Sequence, residues 1–143
     1  MEKPDVWALF DHPPAPTYYK SRFAILGDAA HASTPHQGAG AGQAVEDAYI
    51  LSSLLGQIQS VDDIEKAFKA YDTIRRPRSQ KVVTTSREAA ALYNFEDEEL
   101  GSDLEKIKRR LDERYRWIWE EDMEEQKRSA MELLGEKEAM ANL

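Results

Sequence analysis

Three glycines, Gly38, Gly40 and Gly42, alternate just before and inside a predicted helix. Glycine lowers helix stability by up to about 1 kcal/mol relative to alanine, so three of them at a helix start need a reason. Without side chains, they let a ligand approach the backbone, and the first helical turn has free N–H donors at its positive dipole end. The spacing therefore predicts a site for an anion or an electron-rich ring edge, with a flexible glycine loop as the alternative.

The spacing of these glycines differs from two common phosphate-binding motifs. It reads G-x-G-x-G rather than G-x-G-x-x-G, and no second strand with an acidic end follows, so it is not the usual dinucleotide fingerprint. No Lys-Ser or Lys-Thr pair follows the last glycine, which excludes a P-loop.

Asp28 and His31 precede the glycines and carry the nearest groups able to do chemistry. Asp28 directly follows Gly27 at the end of a predicted strand, where a carboxylate can accept hydrogen bonds from ribose or ribityl hydroxyls. A turn-forming aspartate is the alternative. We interpret His31 as structural and held by loop backbone, because no partner carboxylate or metal ligands are spaced for it.

The elements that must position these residues are mostly helical. A short apolar run ending in glycine, 22–27, predicts a buried strand, and a loop over 28–38 follows. Apolar spacing then predicts a helix from Gly40 to about Gly56 and a second one after Ser60, with a kink or break near Pro77 and resumption to about Tyr93.

Charge divides the chain into two segments. Residues 1–95 hold 11 acidic and 10 basic side chains and all six prolines, whereas residues 96–143 hold 16 acidic and 9 basic side chains. We therefore expect the chemistry in the first segment and an acidic helical tail, 96–143, after a turn over 94–101. The run of acidic residues at 120–125 fits a solvated helix face, not a metal site.

Charge and composition exclude several classes of function. A net charge of −8 argues against nucleic-acid binding and against adsorption to anionic membranes. The sequence has no cysteine, which excludes disulfides and thiolate chemistry, and no apolar run long enough for an integral membrane segment. No signal peptide is recognisable in the first residues, so we expect an intracellular, cytoplasmic protein.

Two smaller groups of residues admit two interpretations each. The basic residues around Pro77, which are Arg75, Arg76 and Arg78, can contact a phosphate, but surface or interdomain salt bridges are favoured. Trp117 and Trp119 are two apart on a predicted helix, so at least one should pack on the core or on a partner.

The stretch from Gly27 to Ala48 resembles the FAD-binding segment of group A flavoprotein monooxygenases, the 4-hydroxybenzoate hydroxylase-like family. It contains Gly27-Asp28-Ala29-Ala30-His31, then Pro35, then Gly38-Ala39-Gly40. The continuation QAVEDA and the segments FDHPPAP and YDTIRRPRSQ look most like the salicylate hydroxylase-like branch. This resemblance implies a mainly α fold with one or two short strands, the C-terminal fragment of an α/β, Rossmann-like FAD-binding fold.

The same resemblance implies a set of cofactor-binding residues. They are Gly27, Asp28, Ala29, Pro35, Gly38, Ala39, Gly40, Ala41 and Gly42. Asp28 would bind the ribityl or ribose hydroxyls of FAD, and the Pro35 loop would lie near the reacting face of the flavin. No catalytic residue and no metal ligand is assigned.

The function implied is that of the FAD-binding portion of a monooxygenase that hydroxylates a small aromatic substrate with NAD(P)H and dioxygen. Residues 1–95 would be the C-terminal segment of the FAD-binding domain. The N-terminal ADP-binding unit of the family is not recognisable here, so we expect the chain to be inactive alone; a homodimer is a further expectation. Two alternatives stay open: a non-catalytic helical remnant or interaction module, and a same-fold FAD oxidoreductase that does not oxygenate.

Overall fold

A 30-residue helix is the element on which the rest of the chain packs. The computed structural model describes residues 3–141; residues 1, 2, 142 and 143, which the predicted segments 1–95 and 96–143 include, lie outside the described residues. The elements in chain order are β1 (Tyr19–Lys20), β2 (Phe23–Ala24), α1 (Asp28–His31), α2 (Gly40–Leu55), α3 (Ile64–Tyr93), α4 (Leu104–Trp119) and α5 (Met123–Ala141). The predicted class, mainly α with one or two short strands, is confirmed.

The predicted strand over 22–27 is much shorter than expected. Only Phe23 and Ala24 pair, antiparallel to Tyr19 and Lys20, in a two-stranded sheet. The prediction that this strand is buried is wrong, because Phe23 is 81% exposed. A two-stranded ribbon has no second layer to cover it, so its apolar side chains stay in contact with solvent.

The predicted loop over 28–38 contains two short helical turns. The first is α1, and the second is a 3-10 turn, Pro35–Gln37, that ends at Gly38. Proline at the start of the second turn supplies a helical φ without needing a backbone partner, and glycine at its end adopts a φ of +62°. The expectation of an irregular loop was therefore wrong at these seven residues.

The predicted break at Pro77 does not occur, because α3 runs through this residue without interruption. Proline in a helix removes one backbone hydrogen bond and costs about 3 kcal/mol or more. Arg75 and Arg78, on either side, bond to carboxylates of α2, and the Tyr18 hydroxyl lies 2.7 Å from Ser79 Oγ. These contacts join α3 to α2 and to the N-terminal arm on both sides of Pro77 and offset the lost bond.

The helix starts follow capping signals that are visible in the sequence. Ser60 accepts a hydrogen bond from the Asp62 amide at the start of a 3-10 turn, Val61–Asp63, that leads into α3, and Asp103 accepts one from the Lys106 amide at the start of α4. The acidic run does not form one solvated helix face: it spans a break between α4 and α5, where Asp122 accepts hydrogen bonds from two amides of α5.

The main core lies where α2, α3 and α5 meet. It is formed by residues from the N-terminal arm and from four helices: Tyr18, Ala30, Ile50, Leu54, Ala67, Ala70, Tyr71 and Ala130. A smaller core of Leu92, Leu100 and Ile107 joins α4 to the end of α3. The helix α2 therefore packs against α3 and against α5, which belongs to the acidic tail.

Candidate functional site

The first turn of α2 presents unpaired backbone donors to solvent. We call residues Gly38–Gly42 the glycine segment. The N-cap, Ala39, makes no side-chain capping bond, and the first backbone bond of the helix joins the Gln43 amide to the Ala39 carbonyl. Within the described part of the chain, no group accepts a hydrogen bond from the amides of Gly40, Ala41 or Gly42. These three N–H groups are available to a ligand.

Space as well as hydrogen bonding is left open at the glycine segment. A Cβ atom built on Gly38 or on Gly42 would meet nothing within 4 Å, and Ala41 between them is exposed. At Gly38 the positive φ also requires glycine. At Gly42 neither backbone conformation nor crowding within the chain does so, which leaves the approach of a ligand as the physical reason for glycine.

Gly27 and Asp28 have different surroundings although they are adjacent. Gly27 is buried with a φ of +57°, its amide donates to Asp47 Oδ2 over 3.0 Å, and an added Cβ would lie 3.3 Å from Ala44 Cβ. Asp28 is the first residue of α1 and is exposed, as is Ala29. Gly27 therefore packs at the start of α1 against Ala44, which lies one turn into α2. The neighbouring Asp28 carboxylate is accessible to a ligand.

Directly after the glycine segment, α2 contributes to a group of polar residues that we call the buried cluster. Four members are buried, His31, Gln43, Asp47 and Arg75, and two are partly buried, Glu46 and Arg78. His31 Nε2 lies 2.5 Å from Asp47 Oδ2, and both side chains are inaccessible to solvent. The expectation that His31 has no carboxylate partner was therefore wrong. The partner is 16 residues away in sequence, and α2 brings it to the histidine.

Arg75 is the centre of the buried cluster. Its side chain is 0% exposed, and it donates to Asp47 Oδ1 over 2.9 Å, to Glu46 Oε2 over 2.6 Å and to Gln43 Oε1 over 2.8 Å. Arg78 donates twice to Glu46. The favoured interpretation, surface or interdomain salt bridges, was correct that these arginines form ion pairs but wrong about the location at Arg75, whose bridges are buried. Arg75 has no accessible surface for a phosphate.

One sequence signal for this cluster was overlooked. Asp47 lies three and seven residues before Ile50 and Leu54, so it occupies the core-facing side of α2. An acidic residue on an apolar helix face implies a buried partner, because an unpaired buried charge is strongly unfavourable. The arginine that supplies it cannot be chosen from spacing alone.

Both carboxylates of the buried cluster are held in their charged form. Burial raises the pKa of Asp47, but hydrogen bonds from His31, Gly27 and Arg75 outweigh it, and the pKa lies below its ordinary value. Burial likewise opposes ionisation of Glu46, while the bonds and charges of Arg78 and Arg75 lower its pKa below the ordinary value. The cluster is therefore an ion network at neutral pH.

The loop before the glycine segment is fixed by α3. Ser86 Oγ donates to the Thr34 carbonyl over 2.6 Å, and Thr85 Oγ1 donates to Gln37 Oε1 over 2.9 Å. The Gly38 amide in turn donates to the Pro35 carbonyl over 3.0 Å. Pro35 itself is exposed, so the loop presents this ring to solvent from a fixed backbone.

The remaining candidates form no second site. Trp117 packs under Lys81, whose Nζ lies 4.0 Å from the ring centroid, whereas Trp119 is 75% exposed, which confirms that the two tryptophans face different surroundings. Across the residues described, no group of three or more acidic or histidine side chains is arranged to hold a metal ion.

A ligand at the start of α2 would meet free backbone amides at a helix N-terminus, and the exposed Asp28 carboxylate follows Gly27, which contacts α2 at Ala44 and Asp47. Amides and the helix dipole favour an anion or a partly negative ring edge, and the Asp28 carboxylate accepts hydrogen bonds from hydroxyls. A flavin nucleotide carries both kinds of group. The residues present therefore fit FAD, with Asp28 toward hydroxyls and the amides of the glycine segment toward negative charge.

Comparison with known proteins agrees with this assignment. The FAD binding domain family matches residues 11–86, which include every one of the nine predicted cofactor-binding residues. The 6-methylsalicylate 1-monooxygenase of Aspergillus terreus is 44% identical over 136 residues, and a salicylate hydroxylase of Pseudomonas putida is 41% identical over 133 residues. These alignments cover 95% and 92% of this chain.

A solved structure has the same fold. The structure described as a salicylate hydroxylase substrate complex superposes with a TM-score of 0.83 at 47% sequence identity and covers 87% of this chain. The chain spans about 30% of the length of that protein and of the curated relatives it matches. In the described residues, no helix is both long and apolar enough to cross a membrane.

Proposed function

This chain belongs to the FAD binding domain family, and from that premise we propose that it forms the FAD-binding portion of a flavin-dependent monooxygenase acting on a small aromatic substrate. The observation that carries the proposal is the exposed glycine segment with its three unpaired amides. The names of the relatives, salicylate hydroxylase and 6-methylsalicylate 1-monooxygenase, support a salicylate-type aromatic acid as substrate.

In this proposal each exposed residue has a role in holding the cofactor. Asp28 would accept hydrogen bonds from ribityl or ribose hydroxyls, and the amides of Gly40, Ala41 and Gly42 would stabilise negative charge on the flavin. The Pro35 loop would lie near the reacting face. The flavin, when bound, supplies the redox chemistry by taking a hydride from NAD(P)H and activating dioxygen.

The chain itself contributes preorganisation rather than a reacting group. The buried cluster fixes α2, and hence the direction of its N-terminal amides, before a ligand arrives. Donors that are already aligned need no reorganisation when charge develops, which is the main source of electrostatic stabilisation in enzyme sites. No residue of this chain is proposed to transfer a proton.

We propose further that turnover requires sequence beyond this chain. Its length is about 30% of that of its relatives, and Val6, Trp7 and Phe10 expose 97%, 81% and 81% of their surfaces. Exposed apolar side chains of this kind mark a surface that packs against other protein. Residues 1–95 would then be the segment that completes the FAD-binding domain, in an intracellular, cytoplasmic enzyme; a homodimer stays a prediction.

Flavin binding is tested by titrating FAD with the purified chain and following the quenching of flavin fluorescence. We expect saturable binding that Asp28→Asn weakens about tenfold, since a neutral amide is a weaker acceptor for hydroxyls. Asp112→Asn, at an exposed position of α4, makes the same change of charge and should bind as the unmodified chain does. Equal affinity of the Asp28 variant and this control would contradict the role given to Asp28.

The reaction class is tested separately by adding salicylate and NADH or NADPH to the chain with FAD. We expect flavin binding without NAD(P)H oxidation. Oxidation of NAD(P)H with a hydroxylated product would contradict the proposed dependence on further sequence. Oxidation without hydroxylation would favour a same-fold oxidoreductase, and absence of flavin binding would favour a non-catalytic interaction module.

A further inference from the structure

The helix α4 reaches the loop that precedes the glycine segment. The Tyr115 hydroxyl donates a hydrogen bond to the backbone carbonyl of His36 over 3.3 Å. The Tyr93 hydroxyl lies 2.8 Å from the Tyr115 hydroxyl, and the Tyr93 ring lies 6.3 Å from the His36 ring. A residue of the acidic tail therefore contacts the backbone of the 3-10 turn two residues before Gly38.

Tyr115 is held firmly enough to fix what it contacts. Its ring stacks on Trp119 at a centroid distance of 4.9 Å with an interplanar angle of 22°. The neighbouring Arg114 donates to the Thr85 carbonyl over 2.6 Å and joins α4 to α3. Burial, helped by the hydrogen bond with Tyr93, raises the pKa of Tyr115 to about 12, so the hydroxyl keeps its proton and remains a donor at neutral pH.

We propose that Tyr115 is a positioning residue that, through the His36 carbonyl, holds the Pro35–Gly38 turn in the conformation that presents the glycine segment to a ligand. The inference rests on the proposed function, because FAD is the ligand it concerns. It also goes beyond the family match, which ends at residue 86, whereas α4 begins at Leu104.

Three residues of the loop are held by three different contacts. Ser86 bonds to Thr34, Thr85 bonds to Gln37, and Tyr115 bonds to His36 between them. The first two contacts come from α3 and reach one backbone carbonyl and one side chain. Tyr115 supplies the backbone contact nearest to Gly38, so its loss should loosen the turn locally while leaving the helices in place.

The Gly38 amide gives a local reading of this turn, because its hydrogen bond to the Pro35 carbonyl closes it. We would measure hydrogen exchange at this amide by NMR in the 143-residue chain and in Tyr115→Phe, which keeps the ring and removes the hydroxyl. We expect exchange at Gly38 to be about fivefold faster, the factor that one hydrogen bond of ordinary strength contributes to a local opening equilibrium.

Two further variants separate positioning from general stability. Tyr93→Phe leaves the Tyr115 donor intact, and Tyr49→Phe removes a hydroxyl that bonds to Glu124 and Lys127 between α2 and α5. Both should change Gly38 exchange less than twofold. Equal Gly38 exchange in Tyr115→Phe and the unmodified chain would overturn the inference, as would a uniform rise of exchange over all helices.

An FAD titration of the same variants completes the test. We expect Tyr115→Phe to raise the dissociation constant for FAD about fivefold and Tyr49→Phe to leave it unchanged. If the chain binds no FAD, the proposed function fails for this chain, while the exchange rates still decide whether Tyr115 holds the turn. Faster exchange with unchanged FAD affinity would overturn the inference, because the held turn would then not matter to the ligand.

Discussion

The glycine segment and the buried cluster are neighbours on α2 and follow opposite rules. In residues 38–42 side chains are absent or small, and the amides of Gly40, Ala41 and Gly42 have no partner within the described chain. From Gln43 to Asp47 the polar side chains turn inward, and Arg75 alone bonds to three of them. The contrast shows how one helix can offer an open N-terminal turn to a ligand while the buried cluster, one turn further along, fixes the direction of the helix.

Residues of the motif between Gly27 and Gly42 are of two kinds: some are needed for the fold, and others are free to contact a ligand. Gly27 is required by its backbone conformation and by the proximity of Ala44, whereas no atom of the described residues lies close enough to Gly42 to require glycine there. His31 serves the buried cluster, whereas Asp28, three residues earlier, faces solvent. A motif that looks uniform in sequence is therefore divided in space into residues that support the site and residues that can contact a ligand.

The largest effect is expected where the buried cluster loses its centre. Arg75→Met should lower the free energy of unfolding by about 3–5 kcal/mol, because Asp47 and Glu46 would stay buried with part of their compensation removed. Arg22→Met is the matched control: Arg22 pairs with Asp62 at 3.2 Å and both side chains are exposed, so its loss should cost about 1 kcal/mol or less. Urea unfolding measures both, and equal losses would contradict the central place of Arg75.

Acid should weaken the buried cluster, because its two carboxylates must be charged to form the ion network. Asp47 and Glu46 have pKa values lowered by folding, so their stabilisation is complete above the ordinary pKa values of 3.8 and 4.5 and is lost as pH falls through the lower folded values. The free energy of unfolding, measured with urea between pH 6 and pH 3, should fall less steeply in Asp47→Asn than in Asp112→Asn. Parallel curves would show that Asp47 contributes nothing to the pH dependence.

Gly27 lies at the border between the two regions and should behave as a structural residue. Gly27→Ala places a side chain at a φ of +57° and 3.3 Å from Ala44 Cβ, which should cost about 1–3 kcal/mol. Gly135→Ala, at an open and exposed position of α5, should instead be neutral or stabilising. Thermal unfolding distinguishes them, and a stable Gly27→Ala protein would mean that the turn tolerates a side chain.

The helices and the open start of α2 at the glycine segment could be predicted from the sequence, because both depend on local signals. The α2 boundaries, the Ser60 cap and the turn after Tyr93 follow from spacing and residue type. The buried cluster was missed because its pairs join residues 16 to 32 positions apart, which only the packing of α2 against α1 and α3 brings together. The continuity of α3 through Pro77 was missed for the same reason, since the contacts that offset the lost hydrogen bond are tertiary.

The most direct test of the account is one substitution read in two ways. Gly42→Ala adds a methyl group in open space within the first turn of α2, where alanine favours helix by about 0.5–1 kcal/mol. If the glycine segment is the FAD site, the variant should unfold at a higher temperature than the unmodified chain and yet bind FAD about tenfold more weakly, while Gly135→Ala binds FAD normally. Equal FAD affinity of Gly42→Ala and the unmodified chain would contradict the central claim.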